Sequence, residues 1–365
     1  MKARSWGWRL SAAAAAAALA LGLTACGDNG DSAATDGAEG SQITLKLGYV
    51  TPPAHPYGVV VDEYVKRVKE ASNGAIDIQT LPNYPGGDVP LLQDVRDGAV
   101  QMASVSTAVW STQGVNSFNA LQAMGLISRY DLEKEVIDGP IAQDMLKGTE
   151  AIGLKGLAIH EGGMRKPVGG KKPLNSVEAF KGQKIRTPES PVLQTGIKAL
   201  GADPTAVPVG DMYSAMRDGT VDGLEANLGL IQTNKIYEVA KYITANVNLW
   251  PFPTVLVMNQ SDFDKLSADQ QETITKVASE MPAFSIEVVS GPSDLPQTLC
   301  DEGMKFVLAN DAQQAGFARA SEATIAELSK DDPETKGFID QIQQLRDGLG
   351  APPAPAPLPE GCVVK

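Results

Sequence analysis

The stretch Leu91-Leu92-Gln93-Asp94-Val95-Arg96-Asp97-Gly98-Ala99-Val100-Gln101-Met102 has an echo later in the chain, Met212-Tyr213-Ser214-Ala215-Met216-Arg217-Asp218-Gly219-Thr220-Val221-Asp222-Gly223. Each reads as a helix, an Arg-Asp-Gly stop and a short strand, since glycine takes a left-handed C-cap without steric cost. Too far apart for a solenoid, the copies predict two similar α/β domains; a chance match of short motifs is the alternative. Around the first copy, Ile43 to Val50 alternates as a strand does, Val59 to Lys69 has helical spacing, Gly74 ends that helix, and Ala75 to Leu81 reads as a second strand. Such alternation implies parallel βαβ units. From Ser267, which with Gln270 fits a capping box, a long helical stretch is expected to bridge both lobes, interrupted by Pro282 and Gly291-Pro292.

A length of 365 residues suits two domains with real cores, and 43% hydrophobic with 21% charged residues suits a globular protein. A net charge of -13 has the wrong sign for nucleic-acid binding, so an anion would have to be met by a local basic site. No phosphate-binding loop is present, and no stretch after residue 25 is apolar enough to span a bilayer.

Lys2, Arg4 and Arg9 followed by the apolar Ala12 to Leu23 make residues 1–25 read as a secretory signal. Leu23-Thr24-Ala25-Cys26 resembles the lipobox of bacterial lipoproteins, which implies a lipid on Cys26; a plain signal with an incidental cysteine is the alternative. Residues 26–42, almost without large apolar side chains, read as a flexible tether. Cys300 and Cys362 remain as an even pair in an oxidising compartment, and a disulfide between them would staple the Pro-rich tail, residues 351–365, to the body; two unrelated thiols are the alternative. With only His55 and His160 as histidines and no metal-site cysteine spacing, neither a metal nor a cofactor is expected.

Lys184-Ile185-Arg186-Thr187-Pro188 reads as a short strand that places Arg186 near a strand end, where open α/β sheets bind ligands. A guanidinium there offers a planar fork for two carboxylate oxygens, although a surface arginine paired with a nearby acid would show the same pattern. The runs His160-Glu-Gly-Gly-Met-Arg165, Lys172-Pro-Leu-Asn-Ser, Phe180-Lys-Gly-Gln-Lys-Ile-Arg186-Thr-Pro, Leu200-Gly-Ala-Asp-Pro-Thr, Met212 through Leu224-Glu225-Ala-Asn227, and Lys235-Ile-Tyr-Glu-Val-Ala-Lys-Tyr follow one another in order. From about Ile43 to Leu308 the chain resembles the DctP-type solute-binding proteins of TRAP (tripartite ATP-independent periplasmic) transporters.

The resemblance implies a periplasmic-binding-protein-like fold, two α/β lobes joined by a hinge with a long bridging helix. Residues 43–161 plus about 250–290 are expected in lobe I, and 162–249 plus about 291–350 in lobe II. It implies that Arg186 makes the two-pronged bridge to a ligand carboxylate, that Arg165 and Asn227 add hydrogen bonds, and that Glu225 supports neighbouring loops. Ser106 and Val50 stand where some relatives carry an acid and an asparagine, which disfavours a sialic-acid-like ligand and favours a smaller or less polar one. Trp250 is placed either to wall the pocket or to fill the core, and His55 either to face the cleft or to sit on a solvated loop. Tyr49 and Tyr84 are expected to be structural.

The function implied is that of an extracytoplasmic, lipid-anchored monomer that captures a small carboxylic or dicarboxylic acid and delivers it to membrane permease subunits. A ligand-sensing lipoprotein for a signalling receptor is a second reading. An extracellular hydrolase is a third, against which stands the lack of GxSxG, of HExxH and of any evident histidine–nucleophile pair.

Overall fold

The computed structural model describes residues 42–364 apart from Asp331 and Pro355. The signal-like segment, Cys26 and nearly all of the tether lie outside the described residues. Among the described residues there are twelve strands: β1 (Ile43–Gly48), β2 (Ile76–Leu81), β3 (Met102–Ser106), β4 (Leu154–His160), β5 (Lys166–Gly169), β6 (Lys184–Thr187), β7 (Asp203–Ala206), β8 (Gly223–Ala226), β9 (Tyr242–Thr244), β10 (Thr254–Asn259), β11 (Lys305–Val307) and β12 (Val363–Val364). They make a five-stranded sheet, β2-β1-β3-β10-β4, and a seven-stranded one, β12-β11-β9-β5-β8-β6-β7.

The echo in the sequence marks equivalent places. Helices Asp88–Arg96 and Met212–Arg217 each run to a glycine in the left-handed region, Gly98 at φ 76° and Gly219 at φ 70°. The strands that follow, β3 and β8, each lie between a parallel partner (β1 or β6) and an antiparallel one (β10 or β5). The antiparallel strand is in both sheets the one the chain enters just after crossing from the other lobe. Four apolar clusters pack these sheets, two on the first and two on the second.

The bridging helix lies further along than the sequence suggested. Ala268–Ser279 and Met281–Ser290 are separate helices, and both pack on lobe I through Ile274, Val277, Met281 and Ile286. Pro282 sits in the first turn of the second helix, where its missing N–H is not needed. Helix Asp311–Leu328 does the bridging: Phe317 and Ala320 enter a lobe II cluster, while Ile325 and Leu328 pack on lobe I. Helix Pro333–Gly348 then buries Phe338, Ile339 and Ile342 in lobe I, within a span expected in lobe II. Helical spacing shows that such a face is buried but not against which lobe.

The Pro-rich tail runs back to lobe II. Arg129 of lobe I donates to the Gly350 carbonyl at 2.8 Å, and a Cys300–Cys362 disulfide (Cα–Cα 5.8 Å) holds β12 beside β11. At the hinge, Glu161 Oε1 accepts from Gly163 N–H (2.6 Å) on one crossing and from Phe252 N–H (3.3 Å) on another.

Candidate functional site

Between the lobes lies a cavity of about 330 Å³. Lobe I contributes Thr51, Asp88, Ser106 and Val109, lobe II contributes Arg186, Pro188, Val207 and Leu230, and the crossings contribute Arg165 and Phe252. Arg186 is the penultimate residue of β6 and Ser106 the last of β3, so the cavity sits at strand ends.

Arg186 is 2% exposed. Its Nε–H donates to the Val207 carbonyl at 2.8 Å and its Nη1 to Glu225 Oε1 at 3.3 Å. Burial, together with the Arg165 charge and against the pull of Glu225 and Asp88, lowers its pKa to about 10, which leaves it charged at neutral pH. Arg165 lies over the Phe252 ring, Cζ 3.8 Å from the centroid, and its Nε is 3.4 Å from Glu225 Oε2. Neither Nε nor Nη1 of Arg165 makes a hydrogen bond, although both are buried. Two guanidiniums thus share one carboxylate and keep donors unused. Burial pushes the Glu225 carboxyl up, opposed by Arg165, Arg186 and the Trp250 indole.

Asp88 was missed by sequence reasoning. Its Oδ1 accepts the Ser106 N–H at 2.9 Å, which puts an acid beside the position where Ser106 had suggested none. Burial raises its pKa to about 6, against the lowering effects of that N–H, Arg186 and Arg165. The available signal was Gly86-Gly87 before an acidic helix start: both glycines have positive φ, 81° and 90°, and turn the chain into the cleft.

Other candidates stand behind the cavity rather than in its wall. Asn227 caps helix Leu228–Thr233 through the Leu230 N–H (2.7 Å) and donates Nδ2–H to the Gly162 carbonyl (2.7 Å), so its amide ties the hinge instead of lining the cavity. His55 caps helix Pro56–Ala71 by accepting the Tyr57 N–H at 3.1 Å. It is fully buried, and burial with the Arg165 charge holds its pKa at about 3, so it is neither solvated nor charged. Trp250 is buried in a lobe II cluster; the aromatic walls are Tyr57 and Phe252, joined by a hydrogen bond from the Tyr57 hydroxyl to the Phe252 carbonyl. The Tyr57 ring passes where a side chain at Gly162 would be, within 1.7 Å of an ideal Cβ, so that glycine is required by contact.

One histidine–nucleophile pair does occur. Ser104 Oγ is 2.9 Å from His160 Nε2, but its proton goes to Thr254 Oγ1 at 2.8 Å, and the pair is buried inside the sheet, away from the cavity. A nucleophilic serine needs the opposite arrangement, with its proton on the imidazole and its oxygen facing substrate.

The comparisons with known proteins agree with this architecture. The family described as "Bacterial extracellular solute-binding protein, family 7" matches residues 47–331. The chain is 29% identical over 244 residues (67% of this chain, 73% of the relative) to the C4-dicarboxylate-binding periplasmic protein DctP of Rhodobacter capsulatus. It is 25% identical over 315 residues (83% and 92%) to the 2,3-diketo-L-gulonate-binding periplasmic protein YiaO of Escherichia coli (strain K12). A crystal structure of a TRAP periplasmic solute-binding protein from Polaromonas sp. JS666 bound to D-erythronate superposes with a TM-score of 0.76 at 27% identity, covering 83% of this chain and 98% of that one. By its matched residues, its two-lobed fold and its interlobe cavity, the chain belongs to the bacterial extracellular solute-binding proteins of family 7, the solute-binding proteins of TRAP transporters.

Proposed function

We propose that the interlobe cavity captures a small organic carboxylate, with Arg186 as its two-pronged clamp and Arg165 as a second donor. The observation that carries this is the pair of buried guanidiniums sharing only Glu225. Buried cations with unused donors are stable when an anion completes them. Asn227, His55 and Trp250 shape the site from behind, and Ser106 orients Asp88. The filled protein passes its solute to membrane permease subunits; it acts as a monomer and catalyses nothing. A lipid on Cys26 holds it at the membrane, and Cys26→Ser should move it from the membrane fraction to the soluble one. Equal partition of variant and parent would remove the anchor.

The test of capture is a thermal-shift screen of the mature protein against organic acids, since a ligand bound only by the folded state raises Tm. The rise should depend on pH with a definite sign. An anion on the two arginines screens the charges that stabilise ionised Asp88, so its pKa, about 6 in the empty cavity, rises on binding. Binding then takes up a proton, and affinity increases as pH falls from 8 toward 6, by at most about tenfold per unit. Tyr57, the remaining titratable group that faces Asp88, stays protonated throughout, because burial raises its pKa well above the usual range. No acid raising Tm at any pH would sink the reading.

A further inference from the structure

The distribution of charge around the cavity narrows the class of acid, on the reading just given that the cavity binds a carboxylate. Among the described residues, Arg165 and Arg186 are the only cations that line it, and both face the same glutamate. Two guanidiniums less Glu225, with Asp88 taking up its proton as the acid binds, leave one positive charge, which a single carboxylate cancels. The other ionisable carboxyls of the wall are acids themselves: Asp88, beside the arginines, and the exposed Glu189. Between them the surface is apolar, formed by Val89, Val109, Val207, Val209, Leu230 and the ring of Phe252.

The hydroxyls offer little more. The Tyr57 proton is taken by the Phe252 carbonyl, while Ser106 Oγ accepts from the Ala108 N–H at 3.2 Å and keeps its own proton to donate. Among the described residues of the wall, Thr51 adds a buried hydroxyl without a partner, so two neutral hydroxyls, and no further cation, are left to donate. A second carboxylate on the same solute would therefore lie against valines or beside Asp88, desolvated and without a cation, which is the costly arrangement for a buried charge. We propose that this site selects monocarboxylates with an apolar body and discriminates against dicarboxylates.

The selection differs from that named for the Rhodobacter relative, and matched pairs of acids test it. Titration calorimetry at about pH 7.5, where both carboxyls of a dicarboxylate are ionised, would compare pentanoate with glutarate and 4-methyl-2-oxopentanoate with 2-oxoglutarate. In each pair the monocarboxylate is expected to bind about a hundredfold tighter, the scale of an unpaired buried charge. Asp88→Asn, which removes the facing acid and keeps its shape, should narrow the gap by strengthening the dicarboxylate. A dicarboxylate that binds wild type as tightly as its partner, and loses binding in Arg186→Ala, overturns the selection while leaving the carboxylate site standing. If none of the four acids binds while another acid of the thermal-shift screen does, the selection falls and the carboxylate site stands.

Discussion

Arg186→Ala is expected to weaken binding of the captured acid by about thirtyfold to several thousandfold. Truncating one side of a buried charged pair costs roughly 2–5 kcal/mol, and each 1.4 kcal/mol is about a factor of ten. The size follows from the placement of Arg186: 2% exposed, held by the Val207 carbonyl and Glu225, and with both Nη2 protons left for a ligand. Arg186→Lys keeps the charge but loses the planar fork, so it should recover only part of the affinity. Arg165→Ala should weaken binding less, because stacking on Phe252 holds that guanidinium as a second donor rather than as the clamp. Calorimetry with the acid giving the largest thermal shift decides the order. Wild-type affinity in Arg186→Ala, with circular dichroism unchanged, would end the assignment.

Glu225→Gln should destabilise the empty protein by about 3–5 kcal/mol, since it leaves two buried guanidiniums without their common counter-charge. At an unfolding entropy of about 2.1 cal/mol/K per residue, a chain of this size moves by roughly 1.5 °C per kcal/mol, so a fall of about 4–7 °C is expected. The same variant should show a larger ligand-induced rise in Tm than wild type, because the bound carboxylate then supplies the missing negative charge. An unchanged Tm in the empty variant would mean that Glu225 does not hold the arginines.

Much of this was legible in the sequence because it is local. The Arg-Asp-Gly stops fix where two helices end, and the strands after them, β3 and β8, occupy matching places in the two sheets. Arg165, Arg186 and Glu225 were singled out from their runs and do meet around one cavity. What was missed depends on how distant segments close. Trp250 and Phe252 lie two residues apart on a proline-broken crossing, and composition does not say which ring faces the cleft; Phe252 does, while Trp250 fills the core. Asn227 offers an amide that suits a ligand equally well, but the Gly162 carbonyl and a helix N-terminus have already claimed it. Asp88 reads as an ordinary acidic helix start until the loop before it is folded against Ser106.

The repeated crossing of the chain between the lobes also governs when the protein can fold. The first sheet lacks one of its central strands, β10, until residue 259 has been made, and the second lacks its last strand and its disulfide until residues 362–364. Helix Asp311–Leu328 has a foot in each core, so neither core is complete while that helix is missing. A ribosome-bound chain stopped short of its end holds no finished lobe to trap it, and its pairings span long loops that close slowly.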